Sequence, residues 1–225
     1  MNAIILAAGL GSRFKELTEN NHKALFNIKG KPNLERTIEY LHQAKIYDIT
    51  IVTGHNSHLL LYLTDKYQVK LVYNEKYTEY NNIYSFFKVI DNFHHSYVID
   101  ADVVLFKNIF LPQNDYSSYF LIQRKKTHNE WIPQVNSQGF VEEIMVSSEN
   151  RPSLLGVSYW KPVESGKIKK ALNNFMMPDL LSNPKLYWDD IPRGLLENLQ
   201  VKTILLDQHD AGEMDNLEDY LSLQK

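Results

Sequence analysis

The chain has 225 residues, of which 44% are hydrophobic and 23% charged, a globular composition that buries roughly 70% of its unfolded surface without disulfides or a structural metal. It contains no cysteine, which excludes disulfide scaffolds, thiolate zinc sites, iron–sulfur clusters and cysteine nucleophiles. The formal net charge of -3 provides no basic surface, so nucleic acid is not an expected partner.

Ala3 to Ala8 is continuously apolar and stops at Gly9, the pattern of a strand buried on both faces. No basic region precedes this run, and it is too short for a secretory leader or a membrane span. The expectation is a soluble, cytoplasmic protein with no membrane partner. A glycine-rich polar stretch follows. Leu34, Ile38, Leu41 and Ala44 then recur at helical spacing, with Asn33 as the expected cap after Pro32. Strands are predicted at Ile49 to Thr53, Val69 to Tyr73 and Tyr97 to Ile99, and helices at His55 to Lys66 and Ile83 to Ile90. This alternation predicts an α/β, Rossmann-like doubly wound mixed sheet flanked by helices. After residue 115 the rhythm changes. Strands are predicted at Tyr119 to Gln123, Pro133 to Asn136, Gly139 to Val146, Leu155 to Trp160 and Val201 to Leu206. Helices are predicted at Val163 to Met177, Asp189 to Asn198 and Leu217 to Leu223. Nothing like a linker or repeat divides the chain, so residues 1-225 read as one domain. Its nucleotide-binding half is about 1-115, and a smaller β-rich acceptor-binding half is about 116-225.

Leu6-Ala7-Ala8-Gly9-Leu10-Gly11-Ser12-Arg13-Phe14 lies directly after the first strand. Glycines there let backbone N–H groups approach a polyphosphate, and Arg13 adds a forked permanent charge. Lys23 is a second candidate cation. A tight turn with a surface arginine fits a lone Gly-x-Gly equally well. A dinucleotide fingerprint is excluded by Phe14, which stands where a third small residue is needed, and no Gly-Lys-Ser/Thr ends the loop.

The whole string is more specific. Leu-Ala-Ala-Gly-x-Gly-Ser-Arg, followed by Lys-Ala-Leu at Lys23 to Leu25, resembles the signature of nucleotidyltransferases that activate sugar phosphates and alcohol phosphates. Further blocks are Tyr80 to Ser85, Tyr97 to Asp102, Asn129-Glu130-Trp131, Leu186 to Asp189 and Glu213-Met214-Asp215. With these, the chain resembles the bacterial choline-phosphate cytidylyltransferases. One departure is His22, which stands where that family usually has proline before the lysine. The resemblance implies CTP and choline phosphate as substrates, with CDP-choline and pyrophosphate as products. The activated choline would serve phosphocholine decoration of cell-surface lipopolysaccharide or teichoic acid. It further implies a nucleotide site at Ala8, Gly9, Gly11, Ser12, Gly54, Asn82 and Ser85, with Arg13 and Lys23 against the triphosphate.

Asp100 and Asp102 close a predicted strand, and in open α/β sheets the carboxyl ends of strands line the ligand crevice. Two residues apart on a strand, both would share a face, and such a pair suits Mg²⁺; the alternative is a loop-opening aspartate that caps a turn. The resemblance assigns the metal to Asp102 together with Asp215, although by spacing alone Asp215 is a helix cap.

Glu130-Trp131 and Tyr187-Trp188-Asp189 join acids to aromatics. A quaternary ammonium donates no conventional hydrogen bond and is held by ring faces and carboxylates. These five residues have that chemistry, and the resemblance places choline phosphate among them; core packing is the other reading for each ring. Tyr159 and Trp160, on opposite faces of a strand, read as core. His55, His58, His94 and His95 lack a third ligand at metal spacing and read as surface or packing residues. Arg124-Lys125-Lys126 reads either as a solvated edge or as a contact for substrate phosphate. The rival functions are a sugar-1-phosphate nucleotidyltransferase, an aminoethylphosphonate nucleotidyltransferase and a catalytically silent nucleotide sensor.

Overall fold

The first strand dictates the architecture, because it has no polar face. Ala3, Ile5 and Ala7 enter one apolar cluster while Ile4 and Leu6 enter another, the period-two alternation of a strand covered on both sides. The structure, a computed structural model, describes residues 1–110, 115–124 and 129–224, without the side chains of residues 15 and 16. In chain order, β1 (Asn2–Ala7) is followed by a short ribbon of β2 (Asn27–Ile28) and β3 (Lys31–Pro32), then α1 (Asn33–Gln43), β4 (Ile49–Thr53) and α2 (Tyr62–Tyr67). Next come β5 (Lys70–Tyr73), α3 (Asn82–Phe87), β6 (Ser96–Asp100) and β7 (Val103–Leu105). The second half supplies β8 (Ser117–Ile122), β9 (Glu130–Val135), β10 (Val141–Ser147), β11 (Ser153–Trp160) and α4 (Pro162–Leu172). The chain continues through α5 (Pro178–Leu181), α6 (Asp190–Arg193), β12 (Val201–Leu205), β13 (Ala211–Glu213) and α7 (Leu217–Leu223).

Seven strands form one mixed sheet in the order β12-β8-β11-β6-β1-β4-β5. Pairing is parallel throughout β6-β1-β4-β5 and between β12 and β8, and antiparallel where β11 joins β6 and β8. The fold is therefore the α/β doubly wound mixed sheet that the strand–helix alternation predicts. The acceptor half is not a separate layer, since β8, β11 and β12 complete the central sheet. Among the described residues the two-stranded ribbons β9–β10, β7–β13 and β2–β3 stand apart from it. Tyr159 and Trp160 are both core, on opposite faces of β11, with Tyr159 against Tyr97 and Trp160 against Tyr119.

Several boundaries differ from the sequence reading. The helix expected at His55 to Lys66 is a 3-10 turn, Ser57–Leu60, followed by α2, and the one expected at Asp189 to Asn198 breaks after Arg193. Asn33 is the first residue of α1 rather than its cap. Its amide instead donates to the carbonyl of Val103 at 2.7 Å, tying the helix to β7. Asp215 is not a cap either. Asn216 caps α7 and forms a capping box with Asp219, which leaves the Asp215 carboxylate for other contacts.

Candidate active site

The loop after β1 enters the carboxyl end of the sheet. Gly11 has φ +64°, a left-handed conformation that favours glycine, and a Cβ there would lie 2.9 Å from the Thr18 methyl. Gly54 ends β4 against the same loop. A Cβ on it would stand 2.5 Å from the Ala8 carbonyl and 2.7 Å from Tyr77, so the two strand ends approach as closely as backbone permits. Ala8, Gly9, Gly11, Lys23, Asn82 and Ser85 line this inner part of the cleft. Ser85 is fixed there by the Asn74 amide at 2.9 Å.

Asp100 ends β6, but Asp102 lies past the strand in a turn, so the two do not share a strand face as the spacing predicts. A short ribbon brings in the third acidic segment. Strands β7 and β13 pair with Glu213 opposite Val103, and Met214 N–H donates to the Asp102 carbonyl at 3.0 Å. Backbone hydrogen bonds thus set Asp215 beside Asp102 although they are far apart in the chain. Lys23 Nζ bonds Asp102 at 2.9 Å, and an Arg13 guanidinium nitrogen bonds Asp215 at 2.9 Å. Burial, reinforced by the charge of Asp102, pushes the Asp215 carboxyl above its usual range.

All of these acids open on a cavity of about 440 Å³, with Trp131, Tyr187, Asp189, Glu130 and Arg124 on its other wall. Trp131 and Tyr187 meet edge to face at 6.4 Å. The Arg193 guanidinium lies 5.0 Å from the Trp131 ring centre and donates to the Ile144 carbonyl. Asn81 and Asn82 hold this wall against the glycine-loop end. The Asn81 amide donates to the carbonyls of Leu180 and Asn183, and Asn82 Oδ1 accepts from the Trp188 N–H at 2.8 Å. Burial, then the neighbouring Asp190 charge, raises Asp189 to about 8. Glu213 is also lifted to about 8 by burial, which outweighs the opposing charge of Arg124. Asp100 is raised too, first by burial and then by Asp102. The cavity therefore disfavours the charged form of these acids, and a bound cation would favour it.

A MobA-like NTP transferase domain matches residues 3–111. Over 220 residues the chain is 53% identical to a choline-phosphate cytidylyltransferase of Haemophilus influenzae, covering 98% of this chain and 94% of that one. The choline-phosphate cytidylyltransferase of Streptococcus pneumoniae is 38% identical over 225 residues, 100% of this chain and 97% of its own. The chain belongs to the choline-phosphate cytidylyltransferase family. The solved structure of the CTP:phosphocholine cytidylyltransferase from Streptococcus pneumoniae superposes with a TM-score of 0.94 at 38% identity, over 99% of this chain and 97% of that one.

Against this cytidylyltransferase frame, the structure gathers most residues singled out in the sequence. Gly11, Ser12, Arg13, Lys23, Asn82, Asp102, Glu130, Trp131, Tyr187, Asp189 and Asp215 share one cavity wall or the other. Ala8, Gly9 and Ser85 line the adjoining end, and Gly54 abuts Ala8 from behind. Trp188 departs from the expected aromatic box. It is 2% exposed and packs on Phe86 at 4.8 Å and Trp160 at 6.2 Å, in the core below the cavity. The turn at 187 to 190 sends the adjacent ring of Tyr187, 45% exposed, toward the cavity instead.

Arg124 is no solvated edge. Its side chain is 17% exposed, pairs with Glu213 and with Glu130 at 3.3 Å, and donates to the Leu154 carbonyl at 3.0 Å; Lys125 and Lys126 lie outside the described residues. Glu213 and Gly156 also line the cavity without having been singled out as site residues. The available signals were the acid two residues before Asp215 and a glycine inside a strand, which marks a bulge or a close approach. At Gly156, with φ +77°, a Cβ would lie 3.0 Å from the Asp100 carboxylate. His55 bonds the Thr18 carbonyl, and His95 bonds the Tyr159 hydroxyl, so both are structural. Among the described residues no group of three or more histidine or acidic side chains is arranged to hold a metal.

Proposed function

We propose that the chain transfers CMP from CTP to choline phosphate, releasing pyrophosphate and forming CDP-choline. The observation that carries this is one cavity with a glycine loop and two cations at one end and an aromatic–acidic wall at the other. A phosphate-bearing quaternary ammonium suits that wall, since ring faces and carboxylates hold a cation that donates no conventional hydrogen bonds. A hexose phosphate would need hydroxyl partners that Trp131 and Tyr187 do not supply in number.

In the reaction a phosphate oxygen of choline phosphate attacks the α-phosphorus of CTP. The bond from that phosphorus to the bridging oxygen of the β-phosphate breaks, and its electrons leave with pyrophosphate. The nucleophile is already an anion, so the chain needs no general base; positioning and charge neutralisation do the catalysis. Gly9, Gly11 and Ser12 present backbone donors to the triphosphate. Arg13 and Lys23 exchange their carboxylate partners for phosphate oxygens and offset the charge that builds up in transfer. Trp131, Tyr187, Glu130 and Asp189 fix the ammonium, so the acceptor phosphate faces the α-phosphorus.

The donor set also fits a magnesium ion. Two carboxylates, Asp102 and Asp215, held side by side by the β7–β13 ribbon are what Mg²⁺ takes from a protein when phosphate oxygens and water complete its shell. When bound it would neutralise charge and orient the phosphates. The product would serve as the donor for phosphocholine decoration of surface glycans, with synthesis on the cytoplasmic side. No helix among the described residues is long and apolar enough to cross a membrane. Pyrophosphate release with CTP and choline phosphate, compared with 2-aminoethylphosphonate and a hexose 1-phosphate, tests the reading. Preference for either alternative acceptor, or release with none, refutes it.

A further inference from the structure

The turn that delivers Lys23 to the cavity is braced by a buried histidine. His22 is 3% exposed. Its Nδ1 accepts the Ala24 N–H at 3.1 Å and so caps the 3-10 turn Lys23–Leu25. Its Nε2 lies 3.1 Å from the carbonyl of Ala7, the last residue of β1. A ring nitrogen that accepts an N–H is bare, so the ring proton sits on Nε2 and is donated to Ala7. Burial acts the same way, lowering the pKa of the ring to about 4. A doubly protonated ring would lose the Ala24 bond, because both nitrogens would then be donors.

The two partners of this ring matter because of what adjoins them. Ala7 runs straight into Ala8-Gly9, where the phosphate loop begins, and Ala24 follows Lys23. One side chain therefore spans from the root of the loop to the turn bearing its cation. The Lys23 stem is packed near Gly11, with its Cβ 3.6 Å from where a Cβ on Gly11 would stand. The far end of the loop has its own anchor. The Asn56 amide donates to the carbonyls of Thr18, Glu19 and Asn21 at 2.9, 3.3 and 3.1 Å. Ser12 and Arg13 lie between these two anchors.

We propose that His22 is a positioning residue for nucleotidyl transfer, fixing the spacing between the end of β1 and Lys23 and hence the reach of the Lys23 ammonium to the triphosphate. This rests on the proposed function, and on Lys23 acting at the nucleotide in particular. The test is a double-mutant cycle with Lys23→Ala, read as kcat/KM for CTP and KM for choline phosphate. His22→Ala should lower kcat/KM for CTP about tenfold and shift the choline phosphate KM less than about twofold, whereas in the Lys23→Ala background it should cost under about twofold. The same factor in both backgrounds, or a parallel rise in both KM values, overturns the proposal. Asparagine places an oxygen near Nδ1 and glutamine an amide nitrogen near Nε2, so each retains one of the two bonds. Partial recovery by His22→Asn or His22→Gln supports the brace, and no recovery by either overturns it. Should thermal melting show His22→Ala unfolded, His22→Asn enters the same cycle with the same outcomes. An unchanged kcat/KM for Lys23→Ala alone would instead remove Lys23 from the proposed chemistry, a different failure.

Discussion

Trp131 and Trp188 lie in segments that both pair aromatics with acids, yet the structure gives them opposite duties, so truncating each should fail in a different assay. Trp131 is half-buried on the cavity wall, beside Tyr187. One ring face is worth ~0.5–2 kcal/mol to a cation, which corresponds to about a 2- to 30-fold rise in the choline phosphate KM for Trp131→Ala. The CTP KM should stay within about twofold, since Arg13 and Lys23, the cations proposed for the triphosphate, are on the other wall; thermal stability should change little. Trp188, 2% exposed between Phe86 and Trp160, leaves a core cavity when truncated, at ~3–5 kcal/mol for a large aromatic. At ~2–4 °C per kcal/mol for a chain of this size, Trp188→Ala should lower Tm by about 6–20 °C. Steady-state pyrophosphate release with each substrate varied in turn, beside calorimetric melting, separates the two. Equal rises in both KM values for Trp131→Ala would refute the aromatic box, and an unchanged Tm for Trp188→Ala would refute its place in the core.

Asp102→Ala should abolish pyrophosphate release while leaving the far-ultraviolet circular dichroism unchanged, and near-normal turnover would remove it from the metal site. Gly54→Ala puts a methyl 2.5 Å from the Ala8 carbonyl, so it should weaken CTP binding measured by titration calorimetry at least about tenfold through a displaced loop; wild-type affinity would show that the strand ends have room. Asp189 titrates near about 8 when folded, against an ordinary 3.8. The folded chain then holds a proton that the unfolded chain releases, and stability falls as pH rises from about 4 toward 8. The Tm of the ligand-free protein should accordingly decline between pH 5 and 8, and less steeply in Asp189→Asn; an identical slope in that variant would contradict the assignment.

Much of the glycine-loop end could be read from the sequence because its determinants are local. Six apolar residues ended by a glycine specify a doubly covered strand, and that strand fixes where the Gly9 to Arg13 loop emerges. The aromatic–acidic wall depends on contacts that no period encodes. Tyr187 and Trp188 are adjacent and chemically alike, and only the Asn82 bond to the Trp188 N–H and the turn at 187 to 190 decide which ring faces inward. Arg124 is held by Glu130 and by Glu213, the latter far away in the chain, whereas its neighbours in sequence, two lysines, suggest an exposed edge. The strands that join Asp102 to Asp215 have three residues each, too short for alternation to mark them. The resemblance alone leads to the expectation that Asp102 and Asp215 act together, and the ribbon itself has no signal in the sequence. The helices expected at His55 to Lys66 and Asp189 to Asn198 are broken into short turns because tertiary packing, not propensity, sets such boundaries.

The β7–β13 ribbon bears on how the molecule acquires its activity during synthesis. All seven strands of the main sheet precede residue 206, so a nascent chain can assemble its scaffold before the last carboxylate has left the ribosome. On the proposed metal site, a polypeptide stopped just short of Ala211 would hold every strand of the main sheet yet lack the carboxylate that partners Asp102, so its pyrophosphate release should be lost.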